Sequence, residues 1–170
     1  MRIALMAALV LSVACSEGRS VSKHLLQGQV KTYLTIGMIR PKGGSVQIQQ
    51  MIDSVPSGGT VHLPSGCFEI SDPIRVPDGT RVIGDGAGRT ILYRHPDKWK
   101  DRGGAMIVVK GAVGSAGTQV SRIAFVGVRN TRDKGNDEGI HLENCTDFRI
   151  DHCYFDGIGY AGVNVRGASR

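Results

Sequence analysis

The stretch "GIHLENCTDFRIDHCYFDGIGYAGVNVRG", residues 139–167, decides the fold because short alternations of apolar and polar residues are broken by Gly and Asn. Such alternation predicts short β-strands, and Gly and Asn between the runs predict tight turns. The whole chain shares this character, with 24 Gly in 170 residues and only 5% aromatic residues. This composition favours many short strands over a bundle of helices.

Two internal repeats extend the pattern towards the N-terminus. "VSRIAFVG" (120–127) aligns with "IDHCYFDG" (150–157), and "IVVKG" (107–111) aligns with "IHLEN" (140–144) and "VNVRG" (163–167). Repeats of roughly 20–30 residues are typical of solenoids, in which each unit buries its apolar face against its neighbours. The spacing therefore predicts that equivalent strands stack in parallel.

The alternation also predicts which residues of the second repeat face outward. Inward and outward residues alternate along a strand, and parallel neighbours lie about 4.8 Å apart. Equivalent outward residues then form two columns, Val108–His141–Asn164 and Lys110–Glu143–Arg166. The second column alternates in charge, which predicts attractive contacts between neighbouring strands.

One short helix is predicted before the strands begin. In "SVQIQQMIDSV" (45–55) the apolar residues recur at helical spacing, with Ile48, Met51 and Ile52 on one face. Ser45 is a suitable N-cap, and Pro56 ends the helix.

The residues that follow resemble a known superfamily. The stretch 45–92 joins this helix to "GGTVHLPSG", "PIRVP" and "GDGAGRTIL", and the later units read "GIHLENC" and "IDHCYF". Together they resemble the start of the pectate-lyase-like superfamily over residues 45–170. The resemblance implies an all-β fold, a right-handed parallel β-helix (solenoid) with a short N-terminal capping helix.

The chain is predicted to have three parts. Residues 1–14 resemble a signal peptide, with Arg2, an apolar run and small residues before Cys15. Residues 15–44 form a lead-in, and residues 45–170 form the N-terminal coils of the β-helix domain. We expect a secreted or periplasmic protein, and the alternative is a lipoprotein anchored to the cell envelope at Cys15. No segment is predicted to span a membrane.

The C-terminal end predicts a fragment. The last predicted strand runs into "GASR" (167–170) without a turn or a covering element. The sequence therefore predicts a β-helix truncated at this end, with self-association through the open end as an alternative way to cover it.

The resemblance implies a carbohydrate-active protein. We expect the N-terminal segment of an exported polysaccharide lyase or glycoside hydrolase that acts on acidic polysaccharide when complete. The alternative is a non-catalytic surface protein that binds glycans or acts as an adhesin. Whether the protein is an enzyme stays open, and this chain alone is expected to be inactive.

The motif "NDEGIH" (136–141) contains the first candidate site. It resembles a strip of the polygalacturonases and places Glu138 at the position of their acid, next to Asp137. Hydrolysis needs a second carboxylate, because protonating the leaving oxygen and activating water are separate tasks. The acidic pair of that family would fall on Tyr160-Ala161, where it is absent. This comparison weighs against a polygalacturonase, and it favours Glu138 as an acid of a loop without a catalytic role.

A lyase needs a base and a group that neutralises the substrate carboxylate. His141 and His152 are candidate bases, and His141 is preferred, with a surface imidazole in a polar stack as the alternative. Lys110 and Arg166 are candidate substrate clamps, and Trp99 is a candidate for stacking on a sugar or packing on the coil beneath. If the protein is a lyase, Ca²⁺ is a candidate cofactor. Its candidate ligands are Asp133, Asp137, Glu138 and Asp151.

The net charge indicates which binding partners are expected, and the cysteine spacing indicates whether disulfides or metal sites are expected. The net charge of +6 favours acidic partners such as polyuronates or nucleic acid, and the alternative is a solvated surface of mixed charge. No Lys- or Arg-rich block interleaved with aromatic residues is present, so nucleic acid is not expected. Cys145 and Cys153 are predicted to stack inward as small apolar side chains, with a disulfide as the alternative. No Cys and His spacing typical of a metal site occurs.

Overall fold

The computed structural model describes residues 39–40, 44–94, 104–111, 117–127 and 137–167. One helix, α1 (Gly44–Asp53), lies among short strands. The strands are β1 (Ile39–Arg40), β2 (Thr60–Leu63), β3 (Gly66–Ile70), β4 (Ile74–Pro77), β5 (Arg81–Gly84), β6 (Thr90–Arg94), β7 (Gly104–Lys110), β8 (Gln119–Ser121), β9 (Ala124–Val126), β10 (Asp137–Glu143), β11 (Arg149–Asp151), β12 (Tyr154–Asp156) and β13 (Ala161–Arg166).

These strands form three sheets, and every pairing is parallel. The first sheet has the order β1-β3-β6-β9-β12, the second β11-β8-β5-β2, and the third β13-β10-β7-β4. From β2 onwards each strand pairs with the strand three places along the chain. Three consecutive strands therefore contribute one strand to each sheet, and equivalent positions stack.

The predicted registers of the repeats are confirmed. Val120 pairs with Ile150 in the second sheet, and Phe125 pairs with Phe155 in the first. In the third sheet, His141 lies between Val108 and Asn164, as predicted from the alternation of inward and outward residues.

The predicted fold class is wrong in part. Within the described residues the fold is all-β apart from α1, the three sheets remain open, and no strand pairing joins one sheet to another. The order of helix and strands does not define a right-handed parallel β-helix. Repeat spacing specifies which strands pair, whereas hand and closure depend on the connections between sheets. Several connections lie in 95–103, 112–116 and 128–136, outside the described residues.

Helix α1 packs on β2, β3 and β4 through the predicted apolar face. Ile48 and Ile52 are fully buried. Ser45 does not act as the N-cap, because it lies inside the helix. Its Oγ accepts hydrogen bonds from the backbone N–H groups of Ser71 (2.9 Å) and Asp72 (3.1 Å). The hydroxyl therefore fastens α1 to the end of β3.

Stacked side chains form the core. The rings of Phe125 and Phe155 lie parallel, with centroids 4.9 Å apart. Cys145 is buried and Cys153 packs against the same apolar cluster, and the described cysteines form no disulfide. The predicted inward stacking of these two cysteines is confirmed. Burial raises the pKa of the Cys67 thiol to about 12, so Cys67 is also an apolar filler.

Several predictions fall outside the described residues. These are the signal peptide at 1–14, the anchor at Cys15, and the candidates Trp99 and Asp133. Within the described ranges, no helix is long and apolar enough to cross a membrane.

Candidate functional site

A polar cluster surrounds Glu138 near the start of β10. The Glu138 Oε2 atom lies 2.7 Å from Nδ1 of His141, and Asn164 Nδ2 donates a hydrogen bond to Oε1. Glu138 is only 4% exposed, so both carboxylate oxygens find partners where water has little access. The cluster joins residues from β10 and β13, which pair in register at His141 and Asn164.

Gly139, which lies between Glu138 and His141 on β10, is a point of close approach between strands. A side chain at Gly139 would collide with the Gly162 carbonyl oxygen, 2.5 Å from the added Cβ, and with the ring of Phe155. Gly139 therefore lies in close contact with β13 and with Phe155, which packs against the apolar core. Only glycine allows β10 to approach β13 this closely.

The contact with Glu138 orients the His141 imidazole. A carboxylate that accepts a hydrogen bond from Nδ1–H selects the tautomer in which Nε2 carries the lone pair. No described residue hydrogen-bonds Nε2, and the His141 side chain is 16% exposed. His141 can therefore accept a proton at Nε2 from a molecule on the outward face of the third sheet.

Asp137 is committed to a different partner. Its carboxylate forms an ion pair with the buried guanidinium of Arg94, which also donates to the Gly104 carbonyl. Burial lowers the pKa of Arg94, and the charges of Asp137 and Glu138 oppose that shift. Arg94 thus links the end of β6 to the starts of β7 and β10.

The predicted charge column is present beside the cluster. Lys110 Nζ lies 2.8 Å from Glu143 Oε2, and Arg166 is the register partner of Glu143 on the other side. The hydrogen bond and the charge of Lys110 lower the pKa of Glu143, with smaller contributions from His141 and Arg166. The structure therefore places two predicted substrate clamps on the face that carries His141.

Three of the four candidate calcium ligands are described, and Asp137, Glu138 and Asp151 do not form a cation site. Asp137 is held by Arg94, Glu138 by His141 and Asn164, and Asp151 by Arg149, His152 and Gln119 in a different sheet. Over the described ranges, no group of three or more His, Cys, Asp or Glu side chains is placed to hold a metal ion. Since the acidic side chains already have partners, they do not fit a resident Ca²⁺.

The strand register also shows which residues lie beside Glu138, where a second catalytic carboxylate was expected. Glu138 pairs with Ala105 on one side and with Ala161 on the other. Ala161 occupies the position where the acidic pair of a polygalacturonase was expected. The strands beside Glu138 thus supply no second carboxylate there.

Sequence reasoning missed Arg94 and the contact made by Asn164. Arg94 follows Thr90 and Leu92 at inward-facing positions of β6, so a charged residue at an apolar position was the available signal. Asn164 was placed in the column with His141, but its reach to Glu138 depends on side-chain geometry, which spacing does not specify.

Comparison with known proteins agrees with this class of architecture, an all-β stack of parallel strands with polar columns on an outer face. The sequence model of the family described as rhamnogalacturonase A/epimerase, pectate lyase-like, matches residues 44–169. The chain belongs to this family, and it is a carbohydrate-active protein of the pectate-lyase-like superfamily. No curated protein and no solved structure matched the chain.

Proposed function

We propose that the protein cleaves acidic polysaccharide by β-elimination on the outward face of the third sheet, with His141 as the base. The observation that supports this proposal is the imidazole held at Nδ1 by Glu138, whose Nε2 has no hydrogen-bond partner among the described residues. Lys110 and Arg166 on the same face offer positive charge to a substrate carboxylate.

The chemistry requires one proton acceptor and one charge clamp. His141 Nε2 takes the C5 proton of a uronate residue, whose carboxylate faces Lys110 or Arg166. The C–H electron pair forms the C4=C5 double bond as the C4–O glycosidic bond breaks, and the leaving oxygen takes a proton from water. The charge of Glu138 stabilises the imidazolium that forms, so Glu138 is a positioning residue.

Elimination suits the geometry better than hydrolysis. Hydrolysis uses two carboxylates on opposite sides of the scissile bond. Here Asp137 is paired with Arg94, and both oxygens of Glu138 are bonded within the protein. The imidazole is the titratable group of this cluster that keeps a nitrogen, Nε2, without a hydrogen-bond partner among the described residues.

A non-catalytic glycan-binding protein is the second candidate. It is favoured by the almost complete burial of Glu138, which suits a support for the polar column as well as it suits a base-orienting group. The cations Lys110 and Arg166 would bind a polyuronate with or without turnover.

His141→Ala tests the first candidate. We expect release of unsaturated uronides from polygalacturonate, followed by ultraviolet absorbance in buffer containing calcium chloride, to fall by about 10²–10⁴-fold, since general base catalysis contributes that much. His62→Ala is the matched control, because His62 is exposed on β2 in the second sheet.

The outcome separates the two candidates. Turnover by the wild-type protein that survives in His141→Ala contradicts the assignment of the base. Binding of polygalacturonate by the wild-type protein without any release of unsaturated products supports the non-catalytic candidate instead.

We also propose that the protein is exported, on the basis of the charged, apolar and small residues in sequence within residues 1–14. The N-terminal sequence and mass of the secreted protein test this step. A mature chain that begins after residue 14 supports export by cleavage, and a lipid-modified Cys15 supports the anchored form.

A further inference from the structure

The outward face of the third sheet ends at α1. β4 is the edge strand of this sheet, and Gln49 of α1 lies along it. The Gln49 side chain donates from Nε2 to the Arg75 carbonyl (3.0 Å) and accepts at Oε1 from the Arg75 N–H (2.8 Å). The amide thus takes the place of the next strand, and α1 forms a wall across that end of the face.

A cleft of about 600 Å³ lies against this wall. It is lined by Gln49 and Asp53 from α1, by Arg75 from β4, and by Val108 and Lys110 from β7. Asp53 accepts a hydrogen bond from Gln49 (2.8 Å), which holds the amide against β4. The cleft therefore has a fixed helical wall and a floor that belongs to the sheet.

Arg75 is the cation of this cleft that is not paired with a carboxylate of the described residues, and the Asp53 carboxylate of the cleft accepts a hydrogen bond from Gln49. Its side chain is exposed, and no described residue forms an ion pair with it. Lys110, by contrast, already pairs with Glu143. A guanidinium binds a carboxylate through two parallel hydrogen bonds, so Arg75 suits the carboxylate of an acidic sugar.

The cleft and His141 lie on one line across the sheet. Arg75 pairs with Val108, and Val108 pairs with His141, so Arg75 and His141 are two strand positions apart. Two strand spacings correspond to roughly 10 Å, so a sugar bound at Arg75 is a different one from the sugar beside His141.

We propose that the cleft between α1 and β4 is the end subsite of a glycan groove, where Arg75 binds the carboxylate of the terminal acidic sugar. This inference rests on the proposed function, because it uses the same face and the same class of substrate. The wall formed by α1 would then make the protein recognise a chain end.

Replacing Arg75 tests the charge. We expect Arg75→Gln to bind oligogalacturonate about tenfold more weakly than the wild-type protein in titration calorimetry, because a charged hydrogen bond is lost. Arg75→Lys should recover part of the affinity. Arg81→Gln, an exposed arginine on β5 in the second sheet, is the matched control and should bind like the wild type. Fully methyl-esterified oligogalacturonate should bind wild type and Arg75→Gln equally.

The results distinguish this inference from the function on which it rests. Equal oligogalacturonate affinity of Arg75→Gln and the wild-type protein overturns the end subsite and leaves the His141 proposal standing. No binding of oligogalacturonate by the wild-type protein overturns both.

Labelled ligands test the recognition of a chain end. Two oligogalacturonates, one with a bulky aromatic label at the reducing end and one with it at the other end, are compared with the unlabelled sugar. We expect one of the two to lose affinity for the wild-type protein, since its labelled end meets the wall at Gln49. Equal affinity of all three sugars contradicts a closed end.

Discussion

Asp85 joins two turns of the chain through one carboxylate. Its Oδ2 accepts hydrogen bonds from both the backbone N–H and the hydroxyl of Ser65, each at 2.8 Å. These bonds favour the ionised form and lower the pKa of Asp85 below its ordinary value of 3.8, with smaller help from the charges of Arg89 and Arg122. A lowered pKa in the folded state stabilises the fold above the ordinary pKa, and the effect is lost as the pH falls through the folded value.

We therefore expect Asp85→Asn to lower the free energy of unfolding near neutral pH and to have little effect in strong acid. Urea unfolding of wild type and variant across this pH range measures the difference. Asp147→Asn is the control, because the Asp147 side chain is exposed and hydrogen-bonds to no described residue. A penalty for Asp85→Asn that does not change with pH would contradict the assigned role of the charge.

Individual residues also show how far sequence reasoning reaches. His141 and Lys110 were placed on one face because alternation specifies the side of a strand. The hydrogen-bond partners of Glu138 were not predicted, because the burial of its carboxylate depends on the position of the Asn164 side chain, which the sequence pattern does not give. Arg94 escaped notice because a single charge at the end of an apolar strand resembles a solvent-exposed terminus.

At the scale of the elements, the aromatic stack between β9 and β12 joins two successive strands of the first sheet. Phe125 is fully buried and lies 4.9 Å from Phe155, ring centroid to ring centroid. Offset and stacked aromatic pairs contribute beyond the area that they bury. The stack is therefore a main source of cohesion between β9 and β12.

We expect Phe125→Ala to lower the free energy of unfolding by about 3–5 kcal/mol, the usual cost of removing a buried Phe ring. Urea denaturation followed by circular dichroism measures this loss. Tyr160→Ala, which removes an aromatic side chain that is 60% exposed, is expected to change the stability by no more than about 0.5 kcal/mol. Similar losses for the two variants would show that the stack is not a special contact.

The pairing of elements was the part of the fold that the sequence predicted best. Val120 with Ile150 and Ile140 with Val163 follow from repeat spacing, because parallel stacking buries equivalent apolar residues together. The start of α1 was predicted less well. Ser45 has the character of an N-cap, but its hydroxyl binds the backbone of Ser71 and Asp72, which are distant in sequence.

For the whole molecule, Arg94 connects two sheets. It belongs to β6 in the first sheet, while its partners Gly104 and Asp137 begin β7 and β10 in the third. Arg94 thus joins the two sheets next to the candidate site.

We expect Arg94→Met to lower the free energy of unfolding by about 3 kcal/mol, since it leaves the Asp137 carboxylate largely buried without its partner. It should also reduce oligogalacturonate turnover or binding at pH values where the protein stays folded. Thermal and urea unfolding measure the first effect. Arg149→Met, at an ion pair whose arginine is 71% exposed, is the control and should change the stability little. A stability loss as small as that of the control would mean that Arg94 does not connect the sheets energetically.

The arrangement of the three sheets relative to one another could not be predicted from the sequence. Spacing and alternation describe neighbours within a sheet, and those neighbours were correct. A right-handed closed path was assumed from the resemblance, and the three open sheets do not define one. The turns that would set hand and closure are variable in length and rich in polar residues, so no periodicity constrains them.

The contact of Gln49 with β4 also affects the tendency of the molecule to aggregate. An edge strand presents N–H and C=O groups that can pair with a strand of another molecule, which begins aggregation. Gln49 occupies both groups of Arg75 with its own amide. One polar side chain on a helix thereby lets an exposed parallel sheet stop at β4 without serving as a template for intermolecular sheet growth.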